Sequence, residues 1–413
     1  MAPPFRAEHL GSLLRPEDLL AIRASVREQK KKNTNNNKKL LAATERAAVR
    51  DVVALQKALG YRAVTSGEFT RTRFWGLMWD ELEGTAQLRD ADAAMFRPYH
   101  PDVVSLIEKD GHVMPGESVV AGAKLRHDPG KSVSNLHELR LVQEALGEER
   151  REEWKDIKLT MITPAWFHMR YKRGRAYAPG AYESDAEYFA DVAAAYRAEL
   201  AMLYAAGLRN VQFDDPGLAY FCSDEFRRGW EADPDNAGTT VEDLLDSYIA
   251  LYNDCVRDAP GGGDMHFGIH LCRGNFIGGR HFASGAYDVI AKKLFQTLDV
   301  QTFYLEYDTE RAGGFEPLRH LPRGKNVVIG AVSTKVRELE DKEVVKKRLY
   351  EAAGYIAEGR GDGETREEAL KSVSVSPQCG FSTHETGYPL SLEDQRKKLA
   401  LVRQIADEVW GEP

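Results

Sequence analysis

Two side chains that can bind a metal stand two residues apart near the end of a predicted buried strand. The strand is the stretch Met265–Cys272, and it carries His270 and Cys272. Successive side chains of a strand point to opposite faces, so these two share one face. An imidazole beside a thiolate suits zinc better than a hard cation. A buried strand pair that holds no metal is the alternative that these two residues alone leave open.

Two further candidate ligands follow later strands. Glu306 ends a strand predicted over 300–306, and Cys379 lies in the turn Ser376–Gly380 after another strand. With His270 and Cys272 they offer one nitrogen, one oxygen and two sulfurs, which fits tetrahedral zinc with an exchangeable carboxylate. Structural zinc sites usually use closely spaced cysteine pairs, whereas these ligands span about 110 residues, so we predict a catalytic zinc.

Polar side chains also stand at the ends of other predicted strands: Ser12, Glu68, Asp214, Asp215 and Ser333. A single carboxylate there is weak evidence, since strands end where solvated loops begin. The carboxyl ends of barrel strands, however, meet at one face, where active sites form. The repetition at strand after strand therefore predicts one site that contains these residues and the metal. Cys222 and Cys255 are predicted to be packing residues.

Strands and helices alternate along the chain, which is typical of βαβ units with a parallel sheet. Capping sequences that begin at Ser184, Thr240 and Ser391 open three of the helices. About eight units without a clear linker predict an α/β fold, a single (β/α)8 TIM barrel that forms one domain over residues 1–413. A doubly wound open sheet is the alternative, but no Gly-x-Gly-x-x-Gly turn follows an early strand.

Two segments are predicted to lie outside the barrel. Strand candidates over 103–114 and 118–125 flank Asp110 and Gly111, a strong turn pair, so we predict an extra hairpin around residues 101–125. The segment 30–39 contains only lysine, asparagine and threonine. We predict a polar insert there, a solvated loop within a helical region.

The composition of the chain limits which binding partners and which cellular location we expect. The 413 residues carry a formal net charge of -8, which argues against a nucleic-acid partner. No apolar run approaches the roughly 18 residues that span a bilayer, so no membrane partner is expected. The N-terminus lacks the apolar core of a secretory signal, and the four cysteines do not suggest a disulfide framework. We therefore expect a cytoplasmic protein.

The motifs as a set resemble the catalytic C-terminal half of cobalamin-independent methionine synthase, in the UROD/MetE-like superfamily. The chain looks most like the short single-barrel members, and the resemblance covers nearly its whole length. It is carried by the segments Leu10–Ser12, Gly67–Glu68, Gln212–Pro216, His270–Cys272, Tyr304–Tyr307 and Ser376–Phe381. The series His-x-Cys, Glu and Cys, in that order and context, is the specific part.

The resemblance implies a zinc ion bound by the four candidate ligands His270, Cys272, Glu306 and Cys379. It implies that Glu68 and Asp214 meet the amino group of a homocysteine-like acceptor, while the backbone around Ser12 meets its carboxylate. Asp215 joins the predicted substrate-binding residues. Asp214 and Glu306 are the predicted catalytic residues, and Glu306 is expected to yield its place on the metal to the acceptor sulfur.

The implied activity is that of a zinc-dependent methyltransferase, similar to 5-methyltetrahydropteroyltriglutamate–homocysteine S-methyltransferase in methionine biosynthesis. Zinc would deprotonate the thiol of homocysteine or a similar acceptor, and the thiolate would take a methyl group to form methionine or a related thioether. The implied partners are this thiol and a methyl donor. The donor is a methylated folate, a corrinoid or another carrier, including a separate methyl-carrier protein.

Two departures from the family pattern concern the donor. The 413 residues do not include the N-terminal half that helps the long enzyme hold its folate. Where the family has a His-Ser pair after the strand near residue 330, this chain reads Gly330–Lys335 without a histidine. The alternatives left open are a thiol alkyltransferase with a different electrophile or acceptor, a metal-free tetrapyrrole decarboxylase of the same superfamily, and a non-catalytic zinc-binding barrel.

Overall fold

A parallel sheet of six strands forms the centre of the protein. The structure is a computed structural model that describes residues 5–28, 35–88, 91–104, 118–361, 363–385 and 388–411. Its strands are β1 Glu83–Leu88, β2 Ser118–Arg126, β3 Lys158–Ile162, β4 Asn210–Asp215, β5 His266–Leu271, β6 Thr302–Glu306, β7 Asn326–Val332 and β8 Val373–Pro377. Strands β3 to β8 pair in chain order, each parallel to the next, whereas β1 and β2 form a separate antiparallel pair. The predicted α/β core with a parallel sheet is thereby confirmed.

The register of this sheet brings the carboxyl ends of its strands together. Asp214 pairs with Ile162 on one side and with His270 on the other, and Glu306 lies opposite Gly330. Every residue of β3, β4, β6, β7 and β8 is buried, as expected for parallel strands covered on both faces. Side chains that follow these strands therefore gather at one edge of the sheet.

Two short N-terminal segments reach the outer strands of the sheet. Ala7 forms an isolated parallel bridge with Val375 of β8, and Val64 forms one with Ile157, which precedes β3. The two segments also contact each other, because the Leu13 amide donates to the Gly67 carbonyl over 3.0 Å. A single bridge takes the place of the longer strand predicted near residues 63–68.

Helices connect most successive strands of the sheet. They span Glu17–Glu28, Asn35–Ala58, Met78–Glu81, Ser134–Leu146, Trp166–Arg170, Asp185–Ala205, Gly217–Tyr220, Asp224–Ala232, Val241–Val256, Asp288–Thr297, Lys342–Arg360, Arg366–Ala369 and Leu392–Trp410. The predicted caps are confirmed, since the side chains of Ser184, Thr240 and Ser391 each accept a hydrogen bond from a backbone N–H three residues on. Across the described residues, no helix has the length and apolar character needed to cross a membrane.

The antiparallel pair corrects the predicted hairpin. The strand predicted over 118–125 is present as β2, but it pairs with β1, so that Leu88 lies opposite Ser118. Residues 101–104 are helical rather than extended, and residues 105–117, with the predicted turn, lie outside the described residues. Strand β1 was missed because it carries few β-branched residues and contains Gly84, whose φ of 87° accompanies an irregularity in the register.

The prediction of a polar insert at residues 30–39 is also partly corrected. Residues 35–39 begin the helix Asn35–Ala58 instead of forming a loop, while residues 30–34 lie outside the described part of the chain. The later turns of this helix bury Val49 and Val53, and their packing stabilises the polar turns that precede them. Lys38 and Lys39 are exposed, which agrees with the predicted solvation.

Asp102 ties the helical residues 101–104 to the helix Trp166–Arg170. Its carboxylate accepts a hydrogen bond from Arg170 Nε over 2.8 Å and is paired with the His100 ring on the other oxygen. Burial alone would raise the pKa of Asp102, but Arg170 and His100 outweigh it and lower the pKa to about 2. The ion pair therefore stabilises the folded protein wherever Asp102 is charged.

Gly380 lets the N-terminal segment pack against the loop after β8. The Phe381 amide donates to the Ser12 carbonyl over 2.9 Å, and a Cβ at Gly380 would lie only 1.9 Å from Ser12 Oγ. A larger residue at this position would force the buried Ser12 hydroxyl to move away from its place between the two segments. Because Cys379 precedes Gly380, this contact also positions a candidate ligand.

We expect Asp102→Asn to lower the free energy of unfolding at pH 7 by on the order of 3 kcal/mol, because Arg170 loses a buried partner. A carboxyl whose pKa falls on folding stabilises above its unfolded pKa and loses that contribution as the pH drops to the folded value. The difference between the variant and the unchanged protein in urea unfolding should therefore shrink between about pH 4 and pH 2.

The matched control is Asp264→Asn, which removes an exposed partner of Arg209 at the same 2.8 Å. It should cost less than about 1 kcal/mol. Equal costs for the two variants would contradict the buried ion pair.

Gly380→Ala is expected to destabilise the protein by about 1–3 kcal/mol, because the added methyl group collides with Ser12. The control is Gly354→Ala in the helix Lys342–Arg360, where an added Cβ meets no atom within 4 Å. That change should be neutral or stabilising by up to about 1 kcal/mol. Thermal unfolding of both variants tests the expectation, and equal melting temperatures would show that the approach of Ser12 is not constrained.

Candidate metal and substrate site

The four predicted metal ligands come together in the folded chain. His270 belongs to β5 and Cys272 follows it, Glu306 ends β6, and Cys379 follows β8. One ligand atom from each residue lies within 4.8 Å of those from the other three. His270 Nε2 is 3.4 Å from Cys379 Sγ, and the two sulfurs are 3.5 Å apart. This group could hold a metal ion.

The thiols carry the clearest sign that a cation belongs here. The hydrogen bond from Cys379 is the main cause that lowers the pKa of Cys272 to about 6, and the same bond raises the pKa of Cys379 well above its ordinary value. The hydrogen-bonded pair therefore favours a thiolate at Cys272 over one at Cys379. A metal ion would let both be thiolates, and the two sulfurs with one imidazole suit a borderline-soft ion.

Glu306 is completely buried and hydrogen-bonded through both oxygens. The Arg273 amide donates to Oε1 over 2.6 Å, and Arg311 Nη2 donates to Oε2 over 2.7 Å. Burial alone would raise the pKa of Glu306, but the charges of Lys335, Arg311 and His270 bring it below its ordinary value. The carboxylate is therefore charged at neutral pH and available to a cation.

An open pocket lies beside this group at the carboxyl ends of the strands. Its space is about 780 Å³ when the open mouth is included. Five of the predicted metal and acceptor residues line it together with Ser12: Glu68, Asp214, His270, Cys272 and Cys379. Glu306 lies behind them, and neither Asp215 nor Ser333 is among the lining residues.

Glu68 and Asp214 form a pair of buried carboxyl groups on the pocket wall. Glu68 has a φ of 63°, its Oε1 accepts from Thr160 Oγ1 over 2.8 Å, and its buried Oε2 has no partner among the described residues. Asp214 Oδ1 accepts from Gln212 Nε2 over 2.7 Å. Burial and then the charge of Glu68 raise the pKa of Asp214 to about 7, and burial likewise raises the pKa of Glu68. A cationic group in the pocket would relieve both effects.

Asp215 is held by the backbone instead. Its Oδ1 accepts from the Leu218 amide over 2.6 Å, and its carbonyl accepts from the Cys272 amide over 2.9 Å. Neighbouring strand residues point to opposite faces, so Asp215 points away from the side that Asp214 occupies. Its position supports the loop that carries Cys272, and its predicted contact with a substrate stays a prediction.

Sequence reasoning missed the rest of the pocket wall. Asp102 lines it, although the sequence pattern had predicted an extra hairpin around residues 101–125, outside the barrel. Much of the remaining wall is aromatic and is built by the side chains Phe74, Trp75, Trp166, Tyr220, Phe276, Phe282 and His384. These residues lie on connecting segments and short helices, where no local pattern marks an aromatic residue as part of a site.

Known proteins share the fold and nearly the full length of this chain. It is 32% identical over 408 residues to the uncharacterized protein YxjH of Bacillus subtilis, which covers 98% of this chain and 95% of that protein. A Listeria monocytogenes structure, named provisionally as a vitamin-B12-independent methionine synthase, is 26% identical with a TM-score of 0.67 and full coverage of both chains. The structure of a B12-independent methionine synthase from Shewanella sp. W3-18-1 matches at 18% identity and a TM-score of 0.65, over 98% of this chain and 97% of that one, which shows the fold alone.

The similarity extends over 98% of the chain for the Bacillus relative and over its full length for the Listeria structure. No protein-family model matches the sequence. The Bacillus relative carries no functional name, and the Listeria structure supplies the name of the family. The chain belongs to the cobalamin-independent methionine synthase family, in the group that corresponds to its catalytic half.

Proposed function

We propose that the protein is a zinc-dependent methyltransferase that methylates the thiol of homocysteine or a similar acceptor, giving methionine or a related thioether. The observation that carries this proposal is the convergence of four ligand atoms within 4.8 Å beside a pocket with two buried carboxyl groups. The name of the Listeria relative supports the same reaction class. Metal and acceptor would then meet at the carboxyl ends of the strands.

We also propose that the sheet closes into a single-domain (β/α)8 barrel over residues 1–413. The bridges of Ala7 and Val64 to the two outer strands support this closure, as does the hydrogen bond between Leu13 and Gly67. The two segments would supply the two remaining strands of the barrel. Ser12 and Glu68 would then lie at the carboxyl-terminal face of the barrel, with the other site residues. An active site at that face is the rule for this architecture.

The four candidate ligands fit zinc by their chemistry. Two sulfurs, one imidazole and one carboxylate are ligands that zinc commonly binds in proteins. The thiols of Cys272 and Cys379 and the carboxyl group of Glu306 need a cation nearby if all three are to be charged. When bound, zinc would lower the pKa of an acceptor thiol so that it reacts as a thiolate near neutral pH. Glu306 is the ligand that would give way to the acceptor sulfur, because it has hydrogen-bond donors of its own.

Glu68 and Asp214 would hold the ammonium group of the acceptor. Both carboxyl groups are buried, and Glu68 Oε2 has no partner among the described residues, so an ammonium group gains charge-assisted hydrogen bonds there. Binding of that cation favours the charged form of both groups and orients the thiol towards the metal. The backbone at Ser12, which also lines the pocket, would meet the acceptor carboxylate.

The aromatic wall is left for the methyl donor. Phe74, Trp166 and Phe282 offer apolar surface to a methylated folate, a corrinoid or another carrier. Alignment of donor and thiolate in this enclosed space would contribute much of the rate.

Cys379→Ser is expected to reduce zinc content from about one per chain to a small fraction and to lower methyl transfer to homocysteine by more than about 100-fold. The matched control is Cys255→Ala, which changes another buried cysteine far from the ligand group. It should keep both zinc and activity. Metal analysis, circular dichroism and a homocysteine methylation assay with each candidate donor test this. Undiminished activity in protein stripped of metal by a chelator would refute the zinc proposal.

Glu68→Gln is expected to raise the KM for homocysteine by about 10- to 100-fold, because the ammonium group loses a buried ionic partner. For 4-mercaptobutanoate, the acceptor that lacks the amino group, the variant and the unchanged protein should have similar kcat/KM values. Zinc content should be unchanged in both. An equal loss with the two acceptors would show that Glu68 has a structural role and does not recognise the ammonium group.

A further inference from the structure

Arg311 is fixed beside the carboxylate of Glu306. It lies in the loop after β6, and its Nη1 donates to Thr309 Oγ1 over 2.7 Å while its Nη2 also donates to Asp308 Oδ1 over 2.9 Å. Its carbonyl accepts from the Gly285 amide over 2.9 Å. The side chain is only 10% exposed. Both the backbone and the guanidinium of Arg311 are therefore held in place before any ligand binds.

A buried carboxylate that leaves a metal ion needs another partner. Glu306 has an exposed fraction of 0%, so solvent cannot take over its charge. Arg311 Nη2 is already 2.7 Å from Oε2, and the Arg273 amide is 2.6 Å from Oε1. The carboxylate can therefore move off a metal while it stays hydrogen-bonded at both oxygens.

We propose that Arg311 is a positioning residue that makes Glu306 the exchangeable ligand, by holding its carboxylate when the acceptor thiolate takes its place at the metal. This inference rests on the proposed function. In the exchange, the acceptor sulfur would replace the Glu306 oxygen on the metal, and the thiol proton would pass to solvent. The charge of the released carboxylate would then be paired with Arg311.

A comparison with Lys335 distinguishes the proposed role of Arg311 from a general effect of positive charge on Glu306. Its charge also acts on Glu306, but its Nζ donates to the Gly274 carbonyl over 2.8 Å and to Asn275 Oδ1 over 3.4 Å. It therefore contributes positive potential without a hydrogen bond to the carboxylate. A change at Lys335 removes the same unit of charge as a change at Arg311 and leaves the partner of Glu306 in place.

The test compares the zinc-loaded variants Arg311→Met, Arg311→Lys and Lys335→Met by X-ray absorption at the zinc edge during titration with homocysteine. In the unchanged protein one oxygen neighbour of zinc should be replaced by sulfur. Arg311→Met should need at least about tenfold more homocysteine for the same replacement, because the released carboxylate has lost its partner. Arg311→Lys should recover part of this difference, and Lys335→Met should shift the required homocysteine concentration less than Arg311→Met does, because Glu306 keeps its hydrogen-bond partner.

A second readout follows zinc itself. If Arg311 competes with the metal for Glu306, a chelator should remove zinc more slowly from Arg311→Met than from the unchanged protein. Sulfur replacement at unchanged homocysteine concentrations in Arg311→Met would overturn the proposal. If that variant does not fold, Arg311→Gln replaces it with the same required outcome. Absence of zinc or of sulfur replacement in the unchanged protein would instead refute the proposed function, so the two failures are distinguishable.

Discussion

Two thiols and a carboxylate that lie within 4.8 Å of one another cannot all be charged in a buried place without a cation. This constraint explains much of the arrangement around the carboxyl ends of the strands. The hydrogen bond between the two thiols lowers the pKa of Cys272 and raises that of Cys379, and the charges of Lys335, Arg311 and His270 lower the pKa of Glu306. The parallel register then matters, since it aligns β5, β6 and β8 so that their ends converge on one point.

The part of the pocket wall that Glu68 and Asp214 form presents the same problem, because two buried carboxyl groups there also favour a cationic ligand. Burial raises the pKa of both Glu68 and Asp214, the charge of Glu68 raises that of Asp214 further, and Glu68 is held at a φ of 63°, which side chains adopt at a cost. Such unfavourable features persist in active sites because a ligand relieves them. An acceptor with an ammonium group and a thiol would satisfy the carboxyl pair at one end and the metal group at the other.

The parts of this site that were predictable are those that depend on local rules. The alternation of side chains along β5 placed His270 and Cys272 on one face, and hydrophobic runs marked the buried strands that end at Asp214 and Glu306. Strand β1, the helical residues 101–104 and the pocket position of Asp102 depend instead on contacts between distant segments. Arg311 was missed for the same reason, because only the folded loop brings it to Glu306.

This difference between strand ends and loops also explains why the acceptor side is easier to assign than the donor side. The loop after β7 illustrates this difference. Thr334 Oγ1 donates to the Gly380 carbonyl over 3.1 Å and accepts from Gln378 Nε2 over 3.0 Å, while Lys335 bonds the Gly274 carbonyl. The residues that stand where the family has a histidine thus tie together the two loops that carry Cys272 and Cys379. They stabilise the loops that carry two of the proposed metal ligands, and in the proposed reaction the donor would meet side chains on other loops, chiefly those of the aromatic wall.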